Sequence, residues 1–217
     1  MLLHRSIGRL TPPGASLLAL RLAAPVAALV CGMLAGCAGT HAANAETRYD
    51  LGPATQTANA NPLPAVKVLD VSAPGTLDSD KLVYRLTYAD AQQTASYAHS
   101  RWTMPPAQLL TQRLRAGLAA RGVVLTGEDG AHAPVLKIDL EAFEQDFDAQ
   151  TQSHATVSAR ATLFSSGKVL GQHTFVASAP ASTPDAAGGA RALAAASDDL
   201  IAQISTWLGT QALVAAQ

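Results

Sequence analysis

Apolar residues recur along this chain with two spacings, a period of two through most of residues 64–180 and a helical period in two separate stretches. The cleanest alternation runs from Lys81 to Tyr88, where Leu82, Tyr84, Leu86 and Tyr88 share one side and Val83, Arg85 and Thr87 the other. That is a half-buried strand. Pro64 to Val71 is apolar on both parities (Val66, Val68, Leu69, Val71), the pattern of a short strand covered on two faces, and Ser72-Ala73-Pro74-Gly75 breaks it. Ala89-Asp90-Ala91 is read as a turn into a polar return strand over roughly Gln92 to Ala98, so these two strands pair as a hairpin. Val135 to Ala142 alternates again, with Leu136, Ile138, Leu140 and Ala142 inward and Lys137, Asp139 and Glu141 outward. Phe143 and Phe147 then fall on the wrong parity. Either a bulge shifts the register, or the two aromatics cover the second face of the sheet. His154 to Phe164, the turn Ser165-Ser166-Gly167 and Val169 to Ala177 complete three consecutive antiparallel strands.

Thr103 followed by Met104-Pro105-Pro106 starts the first helix, because proline in the first turn has no hydrogen bond to lose. The helix is expected to reach Arg121. Leu110, Leu114 and Leu118, with Leu109 beside them, make its apolar stripe; Gln112, Arg113 and Arg115 are assigned to water, and Gly122 to the stop. A second helix follows Ser182-Thr183-Pro184-Asp185 and Gly188-Gly189, with Leu193, Leu200, Ile201, Ile204, Trp207 and Leu208 on one face. Three strands, a helix, three strands and a helix predict an α+β domain, a mostly antiparallel sheet with two helices packed on one face.

The N-terminal segment obeys a different pattern. Arg5, Arg9 and Arg21 precede an apolar run from Leu22 to Met33 and then Leu34-Ala35-Gly36-Cys37. This is the layout of a secretory signal with a cysteine at the cleavage point, so residues 1–36 are read as a lipoprotein signal peptide and Cys37 as the lipidated first residue of the mature chain. A membrane span needs about 20 apolar residues, and this run is shorter, with Arg21 at one end and Pro25 inside. Ala43-Asn44-Ala45 is a second cleavage match that would release a chain starting at Glu46, but it lies far beyond the apolar run. Cys31 follows Val30 where a small residue is wanted. Loss of residues 1–36 removes three arginines and no acid, leaving 12 basic against 16 acidic residues and a charge of −4. A mildly acidic chain disfavours nucleic acid as a partner. With Cys37 a thioether and Cys31 discarded, no thiol remains for a disulfide, a nucleophile or a zinc site. Residues 37–61, rich in Ala, Thr, Asn and Gln, are read as a flexible tether, interrupted at Arg48-Tyr49-Asp50-Leu51 by a short edge strand that Gly52-Pro53 ends. The domain proper is assigned to residues 62–217.

No catalytic constellation emerges from the residues. His41, His99, His132, His154 and His173 are scattered, and no helical His pair could hold zinc. Nucleophile elbow, phosphate loop and dinucleotide fingerprint are missing. Glu141, Glu144, Asp146 and Asp148 form one acidic cluster; as paired carboxylates they suit glycoside hydrolysis or calcium, and as strand residues they suit an exposed edge kept from pairing by charge. The edge assignment is preferred. Trp102, beside Arg101 ahead of the proline-led helix, is assigned to packing rather than to a contact surface.

The lipobox, Tyr49-Asp50-Leu51, Leu77-Asp78-Ser79-Asp80-Lys81-Leu82-Val83-Tyr84-Arg85, Arg101-Trp102 before a Pro-started leucine helix, and a strand ending near Phe143-Glu144 occur in an order that resembles the ABC-type transport auxiliary lipoproteins, the paraquat-inducible-type partners of MCE systems. The Tyr49 motif has one tyrosine where that family often has two aromatics. The resemblance implies a non-enzymatic periplasmic subunit, tethered to the outer membrane, that works with an MCE protein and an inner-membrane ABC transporter on phospholipid-like cargo. It also implies self-association as a ring and contact roles for Tyr49, Leu51, Arg101 and Trp102; the missing motifs themselves point to no cofactor and no metal. Ala38 after Cys37, in place of the aspartate that favours inner-membrane retention, agrees with outer-membrane placement. The alternative is an outer-membrane assembly or cell-wall-binding lipoprotein. An envelope hydrolase using the acidic cluster ranks third.

Overall fold

The computed structural model describes residues 45–54 and 62–215. The signal peptide, Cys37 and most of the tether lie outside the described residues. The strands are β1 (Thr47–Tyr49), β2 (Val66–Val68), β3 (Lys81–Arg85), β4 (Thr94–Trp102), β5 (Val124–Leu125), β6 (Val135–Ala149), β7 (Gln152–Ser165) and β8 (Lys168–Pro180). The helices are α1 (Pro106–Ala119), between β4 and β5, and α2 (Ala186–Ala215), after β8.

One long strand organises the sheet. β6 pairs antiparallel with β7 along its whole length, and β7 pairs in the same way with β8. The opposite edge of β6 is shared by two short parallel strands: β2 meets its start (Lys67 opposite Val135) and β3 its far half (Tyr84 opposite Gln145). Between them the chain keeps hold of β6 through Ser72, whose N–H donates to Ile138 O (3.0 Å) and whose carbonyl accepts from Leu140 N–H (2.7 Å). β4 folds back antiparallel on β3, β1 adds parallel to β4, and β5 adds parallel to β2. The sheet is therefore mixed and open, and both helices lie on one face, as expected.

The misplaced parity of Phe143 has a local cause. The β6–β7 register shifts between Leu140, opposite Ala159, and Ala142, opposite Ser158. This bulge flips alternation, so Leu136, Ile138 and Leu140 before it and Phe143, Gln145 and Phe147 after it all face the helices. Of the two explanations left open by the sequence, the bulge is the one observed. Ala142, expected inward, is only half-buried for the same reason.

α1 inserts Leu109, Leu110, Leu114 and Leu118 into the core, and α2 inserts Leu193, Leu200, Ile201, Ile204 and Leu208. α1 ends two residues before the expected Arg121, and the Arg121 and Gly122 N–H groups both donate to Leu118 O. Gly122 is needed for closeness: a Cβ there would sit 2.4 Å from Leu63 O. Residues 45–54, inside the segment read as tether, pack onto the body. Leu51 is 6% exposed and belongs to the same core as the helices.

Candidate functional site

Tyr49, Leu51, Arg101 and Trp102, the four residues singled out by their sequence motifs, meet at one corner. β1 lies beside the end of β4 with Arg48 opposite Arg101 and Tyr49 opposite Trp102. Tyr49 O accepts from Thr103 N–H (2.8 Å), and Trp102 N–H donates to Asp80 O (2.7 Å). Parallel pairing of so short a strand is weak by itself. Side chains add to it: Arg48 pairs with Glu46 (2.6 Å) and Asp80 (3.3 Å), and Arg101 approaches the same two carboxylates at 3.8 and 4.0 Å. These groups are largely wet, so each pair contributes little, and the cluster chiefly fixes register. Trp102 itself is fully buried, its ring edge-on to Phe143 at 5.5 Å, which agrees with the packing assignment.

Beyond Tyr49 the chain turns through Asp50, whose Oδ1 accepts Gly52 N–H (2.7 Å), and Gly52 takes φ +64°, a backbone conformation glycine tolerates freely. The Gly52 carbonyl is thereby aimed at α1, where Arg113 donates to it at 2.6 Å. Arg113 also makes a two-pronged pair with Asp198 of α2 (2.7 and 2.8 Å). Its assignment to water is incorrect, since it is 7% exposed. α1 is covered by α2 and by the 50–54 turn as well as by the sheet, so its buried surface is wider than the leucine stripe. Arg115, also assigned to water, is about one-third exposed and holds Val68 O (2.8 Å) and Asp70 (2.9 Å). No pattern in the sequence announces Arg113; a lone arginine one step off an apolar stripe looks like surface.

A second buried polar group seats the start of α2. Gln145, fully buried, accepts from Tyr97 Oη (2.9 Å) and donates to Ser153 Oγ (2.8 Å). Burial, with Asp185 and Tyr84 adding to it, pushes the Tyr97 hydroxyl up to about 12, so it stays a donor. Tyr84 packs on Tyr97 and Phe147 at 4.8 and 5.9 Å. α2 approaches so closely here that a Cβ on Gly189 would lie 2.0 Å from Gln145 Oε1. Gln145 was missed as well, although a polar residue between Phe143 and Phe147 at strand spacing marks it.

The acidic cluster faces away from the helices. Because β6 has neighbours on both edges, the exposed-edge assignment is incorrect. Glu144 instead pairs with Arg85 (2.9 Å), Glu141 with Arg160 (3.5 Å) and Asp148 with His154 (2.8 Å). Nearby, burial opposes ionisation of Asp139, but the Ser72 hydroxyl, Lys137 and Arg160 outweigh it and hold that carboxyl below its ordinary value. Carboxylates bound to cations lack the split environment that acid–base chemistry uses. Among the described residues, no group of three His, Cys, Asp or Glu side chains is placed to hold a metal ion. His99, His132 and His173 are exposed, on β4, in the loop before β6 and on β8.

Among the described residues, no helix is long and apolar enough to cross a membrane. No curated protein matches the chain in sequence. Solved structures do: a protein from Xanthomonas campestris of the DUF330 family, XCC0632, aligns with TM-score 0.63 at 22% identity over 77% of this chain and 95% of that one. The crystal structure of an uncharacterized protein aligns with TM-score 0.61 at 17% identity over 76% and 99%. Both likenesses concern the fold. The profile of the ABC-type transport auxiliary lipoprotein component family matches residues 49–205, from Tyr49 at the corner through Arg113 and Asp198 to the middle of α2. The chain belongs to the ABC-type transport auxiliary lipoprotein component family.

Proposed function

We propose that this chain is a non-enzymatic accessory subunit of an MCE/ABC-type system that moves phospholipid-like molecules between membranes, anchored through acyl chains on Cys37 at the periplasmic face of the outer membrane. The observation that carries this reading is the pairing of the family match over residues 49–205 with Leu34-Ala35-Gly36-Cys37 upstream of it. A transport system for two-chain lipids faces a steep physical cost, since each methylene exposed to water costs about 0.8 kcal/mol and such a lipid carries roughly thirty. A covered path must therefore meet its far membrane closely. A domain held at that membrane by two or more acyl chains can keep the path docked, whereas one chain alone binds marginally. The corner at β1 suits this task, because load from the tether enters a strand tied to β4 and is passed by Arg113 to both helices. Partner contact by Tyr49 and Arg101, with the buried Trp102 and Leu51 seating them on the core, and assembly of several copies into a ring, belong to the same reading.

The test begins with mass spectrometry of the mature N-terminus, where an acylated Cys37 is expected. Cys37→Ala should leave the chain unprocessed or free of the outer membrane and abolish transport in cells lacking the native copy. Affinity purification from cross-linked envelopes should return an MCE-domain protein and ABC components. An unmodified mature chain starting at Glu46, or purification that returns only cell-wall or β-barrel assembly partners, would overturn the proposal.

A further inference from the structure

The edges of the sheet are unequal. β8 closes one side with thirteen residues paired only to β7, whereas β5 has two residues and β1 three. β4 is open beside β1, but there Arg101 occupies the Tyr97 carbonyl (2.9 Å). A long edge is ordinarily blunted by charge, proline or a bulge, because its unpaired peptide groups accept another strand. From Gly171 to Ala179, β8 has no charged residue, no proline and no register shift. The turn fixes which groups face outward. Ser165 opposite Lys168 closes a two-residue loop, and hydrogen bonding alternates along β7 from that pair, so Gln172, Thr174, Val176 and Ser178 aim N–H and C=O away from it. Gln203 of α2 agrees with this direction, since its Nε2 reaches the Val176 carbonyl at 3.4 Å.

α2 flanks this edge and turns it into a groove. His173 and Phe175 form the floor, and Asp199, Ala202, Gln203 and Trp207 form the wall, around about 520 Å³ that stays open to solvent. Phe175 packs edge-on against both His173 (4.6 Å) and Trp207 (5.9 Å), so the floor is aromatic. A small molecule in so open a site keeps much of its surface in water, while an extended peptide gains a hydrogen-bond ladder as well as the groove. Strand alternation turns every second side chain of that peptide toward Phe175 and Trp207. Charge narrows the choice further. Asp199 is exposed, accepts from Gln203 Nε2 (2.9 Å) and is in no ion pair among the described residues, so its carboxylate is open to a basic side chain. A second copy does not supply one through β8. Residues 169–180 contain no Lys or Arg, and two-fold pairing of β8 with β8 would bring both Asp199 carboxylates to one seam. β1 and β5 of a second copy are too short to fill the edge.

We infer that the β8 edge takes up an extended segment of a different protein, which adds a strand along Gln172 to Ser178, rests aliphatic side chains on Phe175 and Trp207, and sets a basic one against Asp199. This goes beyond the anchored-subunit reading, and either can fail alone. The test places a photo-cross-linking residue at His173 of the full-length chain in cells or, as control, at Val123, which is exposed beside β5 across the sheet. The expected result is one adduct from position 173, absent from position 123, whose partner peptide maps by mass spectrometry to a segment of alternating apolar residues that carries a Lys or Arg. Thr174→Pro removes one outward N–H, spares the pairing with β7 and leaves a partner carbonyl unmatched, so capture should fall about tenfold while the thermal midpoint is unchanged. Asp199→Lys should also weaken capture, and exchanging the mapped basic residue for Glu should restore it. Adducts of a second copy or of lipid alone, equal capture from both positions, or no adduct at all would overturn the inference. So would capture that survives Thr174→Pro. Should that variant lower the thermal midpoint, the charge exchange decides alone, and failure of Glu in the partner to restore capture by Asp199→Lys overturns the inference.

Discussion

The two sides of the β6 strand are built in opposite ways. On one side β7 and β8 follow by tight hairpins, thirteen or more residues each, with every partner close in sequence. On the other side the same edge is patched by β2 and β3, three and five residues long, joined to it across some 60 residues of chain and widened by β1, β4 and β5. Local antiparallel pairing is stabilised as it forms, because closing a short loop costs little entropy. Parallel patches gain little from their few ladder bonds and depend on side chains that fasten them from behind. Trp102, Arg113 and Arg115 are those fasteners, and each comes from β4 or α1.

Removing the largest fastener should separate the two sides most. Trp102→Ala is expected to cost about 3–5 kcal/mol, the usual range for deleting a buried tryptophan, measured as a shift in urea midpoint. Hydrogen exchange should show β1–β4 amides losing protection well before β6–β8 amides. Equal loss on both sides would mean that the sheet opens as one unit and that the contrast has no energetic meaning. Trp102→Phe sharpens the point. The indole N–H has no hydrogen-bond partner among the described residues, so phenylalanine should recover most of the loss.

Arg113→Ala comes next, at about 2–3 kcal/mol. It strands Asp198, but that carboxylate is one-quarter exposed, and water returns part of the cost usual for a broken buried pair. The structural readout is local. Backbone amides of residues 49–52 should exchange faster, because the Gly52 carbonyl loses its donor, while β7 and β8 stay protected.

What the sequence disclosed follows the same division. The β6–β7–β8 meander was legible from alternation and from Ser165-Ser166-Gly167, and α2 from its apolar face, since these patterns are set by neighbours in sequence. Even the bulge had a visible trace in the parity of Phe143. β1 was legible only as a brief apolar interruption, and its attachment to β4 left no local signal. β6 and β8 proved longer than their alternating cores, because Gln145 and the outward carboxylates obscure continuation in β6 and the exposed half of β8 alternates poorly. The corner was half legible: motif order marked Tyr49, Leu51, Arg101 and Trp102, whereas Arg113 and Asp198 meet across 85 residues and neither looks buried alone. Long-range charge pairs leave no period to read.

A smaller effect tests the junction between meander and helix. Gly189→Ala places a methyl group against Gln145 Oε1, and α2 must shift or Gln145 must surrender its bond with Tyr97. About 1–2 kcal/mol is expected, toward the low end of overpacking costs because one side chain can rotate. Tyr97 reports the outcome spectroscopically. Burial, with Asp185 and Tyr84, holds Tyr97 at about 12, so phenol ionisation should fall toward ordinary tyrosine values in an absorbance titration if α2 shifts and carries Asp185 away, and should stay near 12 if Gln145 alone rotates.

The smallest effect belongs to the cap of α2 and carries a definite pH sign. Asp185 Oδ1 accepts from Gly188 N–H (2.7 Å) and from Thr183 Oγ1 (2.8 Å). The Gly188 bond first, then Thr183, hold this carboxyl below its ordinary value against a smaller burial penalty. A group with a depressed folded-state pKa stabilises fully above its unfolded value, here about 3.8, and that stability disappears as pH falls through the folded value. Asp185→Ala should therefore cost about 1 kcal/mol at neutral pH, the ordinary worth of an N-cap. Below pH 3.8 the gap between wild type and variant should narrow, because protonation weakens the cap in the wild type alone. A gap that stays constant down to pH 2 would show that the hydroxyl and backbone bonds survive protonation, so that the carboxylate charge at the helix start contributes nothing.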